Sequence, residues 1–355
     1  MMINARIHSP LRSGGLVAAV RSAVALAAGF VLVAPAAQAQ TVLTASSWVP
    51  PTHSLSTTQK EWCDLLEQKS AGKLKCNILP RAPTGAPGTL DAVRNGLVDV
   101  SYTVHGYTPG RFIATQMAEL PFLGNFSEPV SVALQRMGTK YPALLAGHDG
   151  VKVLTLFTHG PGVVLNTKRP IAKAADLEGL KFRVGGGMVN EIAKALNMNA
   201  TLKPAPESYE LLSNGVMDGT LFPAESVASF KIDKVIRHAT QFPGGLYNTS
   251  FVFMMNQARY DKLSADEKKI VDSISGEFAA RMFGRGWEKA DRIGMATMQS
   301  AGVQFVKADA AFVKEIKDRT APLEDKWAAD AEAKGLAGAK KVLAEFRAEI
   351  AKLEK

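Results

Sequence analysis

The 355-residue sequence predicts an α/β fold in two lobes with a helical C-terminus. Three observations carry that expectation. Strand-like and helix-like patterns alternate from Thr41 to about Met255, as in sheets whose parallel strands are joined by helices. Two stretches echo each other, LDAVRNGLVDVSYTV (90–104) and YELLSNGVMDGTLFP (209–223). Each reads as a helix, an Asn-Gly stop, a short apolar bridge, an aspartate and a strand, which points to two lobes built on similar units. From Ser264 onward the periodicity is helical almost to the last residue.

In chain order, the first 39 residues read as an export leader. Arg6, Arg12 and Arg21 supply positive charge with no acid among them, an apolar run spans 24–36, and Ala37-Gln38-Ala39 offers a small-x-small cleavage site. The run is too short for a membrane span of about 20 residues. Loss of those three arginines would take the net charge from +9 to +6. The remaining charge is scattered, with no basic stripe of the kind nucleic acid requires.

The mature part opens on a strand near Thr41 and a helix over 58–69, followed by the alternating run Lys73–Ile78. Cys63 on that helix and Cys76 on that run are the two cysteines. An oxidising compartment permits a disulfide between them, and two buried thiols are the alternative. GLKFRVGGG (179–187) then gives a strand that ends in three glycines and opens into the helical VNEIAKAL. Ser264-Ala265-Asp266-Glu267 is a capping box expected to open a long helix, with breaks near Gly276, Gly284 and Gly302.

Catalytic templates are absent. There is no HExxH, GxSxG, CxxC or Walker lysine, and Asn190 stands where a dinucleotide fingerprint needs its third glycine. No metal or cofactor is expected, and an enzyme is disfavoured. The six histidines read singly as structural or surface residues. What remains is anion binding. A glycine turn between strand and helix leaves backbone N–H groups open, and Arg183 at the carboxyl end of its strand adds a planar fork that fits a carboxylate. An Arg–Asp or Arg–Glu pair within the lobe is the alternative.

SSWVPPTHSL, GKLKCNILP, LDAVRNGLVDVSY, ELPFLG, KRPIAKAADLEGLKFRV and ESYELLSNGVMDG follow one another in this order, with long helices after them. Through these motifs the mature chain resembles, over nearly its whole length, the solute-binding proteins of tripartite ATP-independent periplasmic (TRAP) transporters. The most specific is D-L-x-G-L-K-x-R-V followed by Asp218-Gly219.

The resemblance implies a two-lobed, type II-like periplasmic binding protein with crossing strands, a long interlobe helix and a helical C-terminus. It implies lobes of 40–161 with 249–288 and of 162–248 with 289–355. It also implies capture of a small organic acid, delivery to TRAP membrane subunits, a monomer, and a periplasmic location after cleavage at Ala39. Arg183 falls on the family's carboxylate-binding arginine. The sialic-acid branch places a second arginine near Val163 and an asparagine at Phe222, and both are apolar here. Sialic acid is therefore disfavoured, and an aromatic or aliphatic carboxylate fits better. Other ligand candidates are Gly185, Trp48 and His53 at the end of the first strand, Tyr107 and Arg111 in HGYTPGRF, Asn166 near the crossing strand, and Glu225. Trp48 serves equally as core, Arg111 as a surface ion pair, Glu225 as a solvated acid and Tyr209 as core. An exported enzyme on a two-lobed scaffold, or a binding protein for a sensor or another transporter class, are the rival readings.

Overall fold

The computed structural model describes residues 40–355, so the leader and its cleavage site lie outside the described residues. Its strands are β1 (Thr41–Ala45), β2 (Leu74–Ile78), β3 (Val100–Val104), β4 (Val151–Thr158), β5 (Gly162–Asn166), β6 (Lys181–Val184), β7 (Asn199–Leu202), β8 (Gly219–Pro223), β9 (His238–Gln241), β10 (Ser250–Asn256) and β11 (Gln304–Lys307). Its α-helices are α1 (Ser54–Lys69), α2 (Thr89–Arg94), α3 (Ser127–Lys140), α4 (Met188–Ala195), α5 (Ser208–Ser213), α6 (Glu225–Ser229), α7 (Gln257–Asp261), α8 (Ala265–Ser273), α9 (Glu277–Ser300), α10 (Ala310–Thr320), α11 (Pro322–Ala333) and α12 (Ala339–Leu353).

The strands form two sheets, ordered β2-β1-β3-β10-β4 and β11-β9-β5-β8-β6-β7. The expected parallel pairing holds where a helix joins the strands: β1 with β2 and β3, and β6 with β7 and β8. The strands that carry the chain between sheets break it. Only His159, Gly160 and Pro161 separate β4 from β5, too short for a helical return, and β10 and β5 pair antiparallel with their neighbours.

The two echoed stretches fold alike, as α2–β3 and α5–β8. Their aspartates do the same work. Asp99 donates its N–H to the Thr44 carbonyl (2.9 Å), and its Oδ2 accepts from the Thr44 N–H (2.7 Å). Asp218 repeats this on Lys181, at 2.8 and 3.0 Å. Each locks the entry of its strand beside a parallel neighbour, β1 for Asp99 and β6 for Asp218. Cys63 on α1 and Cys76 on β2 form a disulfide with Cα atoms 5.6 Å apart.

The capping box at Ser264 and Glu267 is present, but it opens the nine-residue α8. The long helix is α9, which starts after Gly276. Gly284 does not break it. A side chain there would collide with the Glu128 backbone of α3, and at Gly294 with the Ala224 carbonyl. These glycines let α9 lie directly on α3 and α6, so one helix packs against both sheets' layers. The C-terminal helices also span both. α10 packs on α4, whereas α12 packs on α3, with Lys140 Nζ 2.7 Å from Glu345 and Arg136 paired with Glu349. Among the described residues no helix is long and apolar enough to cross a membrane.

Candidate functional site

Between the two sheets, where β3, β6 and β8 end, lies a small cavity. Its volume is about 40 Å³, roughly three times the least that holds one water molecule. Arg183, third residue of β6, reaches it while only 2 % exposed. Its Nε donates to the Lys203 carbonyl (2.8 Å), which fixes the plane of the fork. The guanidinium carbon stands 4.5 Å over the Phe222 ring, and Phe222 stacks on Phe230. Among the described residues no acid pairs with this buried cation. Burial holds its pKa below the usual arginine value, with the phenols of Tyr107 and Tyr247 partly offsetting this.

Six of the nine expected residues line the cavity: Arg183, Phe222, Trp48, His53, Tyr107 and Gly185. Trp48 is held by a bond from its Nε1 to the Tyr102 carbonyl (2.9 Å) and meets Tyr107 edge-on. The Tyr107 hydroxyl accepts from the Ala205 N–H (2.9 Å) and so ties the turn after β3 to the second sheet's side. His53 caps α1: its Nδ1 accepts from the Leu55 N–H at 3.1 Å. That leaves Nε2 to donate to Glu225, 3.3 Å away. Burial lowers the His53 pKa, and the nearby Glu225 raises it in part. Glu225 is 1 % exposed rather than solvated. It also receives Ser226 and Ser229, so its oxygens are satisfied by the protein.

Glu225 does not line the cavity, and other expectations are not met either. Arg111 is turned away from the cavity and donates from Nε to the Gly147 carbonyl (2.5 Å). Asn166 is a turn cap, its Oδ1 accepting from the N–H groups of Lys168 and Arg169 at 2.9 Å each; its short amide finds backbone donors two and three residues on. The glycine turn is not an open anion site either. The first N–H of α4, from Met188, is taken at 2.8 Å by Glu119, whose other oxygen accepts from the Ser250 hydroxyl (2.6 Å). The turn's glycines serve close contact instead: side chains at Gly106 and Gly186 would collide with each other's backbone. Tyr209 is 40 % exposed and not core, and Val163 pairs with Phe222 in register without lining the cavity.

Reading the sequence missed His159, Tyr247, Thr249, Phe251 and Trp287 in the cavity wall, and Glu119 beside it. All but Trp287 and Glu119 come from the two crossings between sheets, which no local pattern marks as a site. Glu119 did leave a signal, as the one acid between Asp99 and Glu128.

A model of the family described as bacterial extracellular solute-binding protein, family 7 (DctP), matches residues 45–330. A TRAP periplasmic solute-binding protein from Bordetella bronchiseptica, solved with bound (R)- and (S)-mandelate, is 41 % identical with a TM-score of 0.86, over 88 % of this chain and 99 % of that one. A marine metagenome TRAP solute-binding protein, described as specific for aromatic acid ligands and solved with 3-hydroxybenzoate, is 31 % identical with a TM-score of 0.83, over 89 % of this chain and all of that one. A protein of Comamonas testosteroni named outer membrane transporter protein TsaT is 30 % identical over 319 residues, covering 89 % of this chain and 93 % of its own.

Proposed function

The chain belongs to the family 7 bacterial extracellular solute-binding proteins, the receptors of TRAP transport, and from that premise we propose that it captures an aromatic monocarboxylate through Arg183. The observation that carries this reading is a guanidinium 2 % exposed, with no acidic partner among the described residues, at a cavity walled by aromatic rings. A buried charge without a counter-ion is costly, and a ligand carboxylate in two parallel bonds would neutralise it. Phe222, Phe230 and Trp48 give the rest of the ligand apolar faces, as a ring requires and a polyhydroxylated sugar acid does not. The aromatic acids bound by the Bordetella and marine relatives support the same choice.

The acid binds the open form first, and closure then excludes water and strengthens the ion pair. The lobes that close are taken as 40–161 with 249–288 and 162–248 with 289–355. The closed receptor, a monomer released into the periplasm by cleavage after Ala39, delivers the acid to the membrane subunits without chemistry on it. A thermal-shift screen of ligand-stripped protein tests the reading, because a bound ligand raises stability by mass action. Benzoate and phenylacetate are expected to raise the melting temperature and sialate is not. A shift with sialate and none with aromatic acids would contradict it.

A further inference from the structure

His53, Tyr107 and Glu119 all reach across between the two sheets beside the cavity, but they differ in what else they touch. His53 and Tyr107 line the cavity, so each also shapes the ligand's surroundings. Glu119 does not line it, although it is only 1 % exposed. Its Oε1 accepts from the N–H (3.1 Å) and from the hydroxyl (2.6 Å) of Ser250, the first residue of β10 in the first sheet. Its Oε2 accepts from the N–H of Met188 (2.8 Å), the first residue of α4, which follows β6 of the second sheet.

The two anchors are unequal. Two donors of one residue hold Oε1, and a single N–H holds Oε2. With the lobes divided as above, Glu119 and Ser250 belong to one lobe and Met188 to the other. When the lobes part, the carboxyl stays with Ser250, and the bond to Met188 is the one that breaks. The Met188 N–H has no partner inside its own helix, because the first N–H groups of a helix lack one. Water can take it in the open form. In the closed form Met188 is 3 % exposed, and Glu119 is the acceptor that its N–H meets. The place of this bond matters for capture. Met188 follows Gly185-Gly186-Gly187; Gly185 lines the cavity, and a side chain at Gly187 would run into the Glu119 carboxyl. The bond therefore holds down the turn that closes next to Arg183.

We propose that Glu119 is a latch, a positioning residue outside the cavity whose bond to Met188 holds the lobes shut over the bound acid and so sets its rate of release. This rests on the capture of a carboxylate by Arg183 proposed above. Stopped-flow tryptophan fluorescence with benzoate tests it on wild type, Glu119→Ala and Glu119→Asp. Aspartate keeps the acid but is one methylene too short to reach from Ser250 to Met188. Both variants are expected to release benzoate about tenfold or more faster, the scale of one buried N–H left unpaired. Association is expected to stay within about threefold, because neither change alters the open cavity. Hydrogen exchange in the benzoate complex gives a second readout. The Met188 amide is expected to exchange about tenfold or more faster in the variants, while the Ile192 amide inside α4 stays within about threefold. Release as slow as in wild type, or slower association with release unchanged, would overturn the proposal. So would an equal loss of protection at Met188 and Ile192, which marks a frayed helix rather than an opened latch. If Glu119→Ala does not fold, Glu119→Asp decides by the same two readouts. Absence of any binding to wild type is a separate result, which overturns the capture reading and the latch with it.

Discussion

Arg183 was legible in the sequence because strand, arginine and glycine turn stand together, and its role as a buried cation needs only that strand end. Asn166 and Arg111 were misjudged for one reason: whether a polar side chain faces a ligand depends on whether a backbone group reaches it first, and here Lys168, Arg169 and Gly147 do. The glycine turn shows the same competition, with Glu119 in the place first expected for a ligand. Phe222 supports Arg183 directly. Its ring supports the guanidinium at 4.5 Å and stacks on Phe230 at 5.7 Å. Phe222→Leu removes the ring's negative face beneath Arg183, a loss of about 0.5–2 kcal/mol. Calorimetry should show benzoate binding weakened by roughly 2- to 30-fold. Unchanged affinity would show that the ring is only filler.

At the scale of elements, the echoed α2–β3 and α5–β8 units and the capping box could be read directly, because Asn-Gly stops, Asp entries and S-x-x-E caps are local signals. The length of the helix after Ser264 could not. Gly284 counts as a breaker by propensity, yet α9 runs through it because tertiary contact with Glu128 needs a residue without a side chain. Parallel pairing was legible for strands joined by helices and not for β4, β5 and β10, which pair antiparallel where the chain passes between sheets. The disulfide ties α1 to β2, its thirteen-residue separation closing a short loop. Neither cysteine lines the cavity. Replacing both by serine should cost about 3 kcal/mol, seen by calorimetry as a melting point lower by roughly 5–10 °C, with ligand affinity unchanged. A fall in affinity of the same variant would mean that this edge of the first sheet shapes the site.

Over the whole molecule, ionisable groups that are buried, as His148 and His159, or half-buried, as Asp291, pull stability in opposite directions with pH. The pKa values of His148 and His159 are pushed down to about 4 by burial, so the stability of holding them neutral is present above 6.5 and is lost as pH falls toward 4. Asp291 on α9 is pushed up to about 7, first by burial and then by the charges of Glu225 and Glu288, against the bond from the Glu225 N–H. Its contribution is present below its ordinary 3.8 and is lost as pH rises through 7. Asp291→Asn keeps an acceptor for that N–H and removes the titration. Its melting temperature should exceed wild type at pH 8 and fall more steeply between pH 7 and 4; parallel curves would contradict the assignment.

Glu119, Tyr107 and the Gly106–Gly186 contact join the two sheets around Arg183, which has no acidic partner among the described residues. Capture of an aromatic acid by that cation is the central claim, and titration calorimetry of ligand-stripped protein with benzoate tests it most directly. Wild type should bind, and Arg183→Lys, which keeps the charge but not the planar fork, should bind at least about tenfold more weakly. Equal affinity in the two proteins, or no binding by wild type to any aromatic carboxylate, would contradict it.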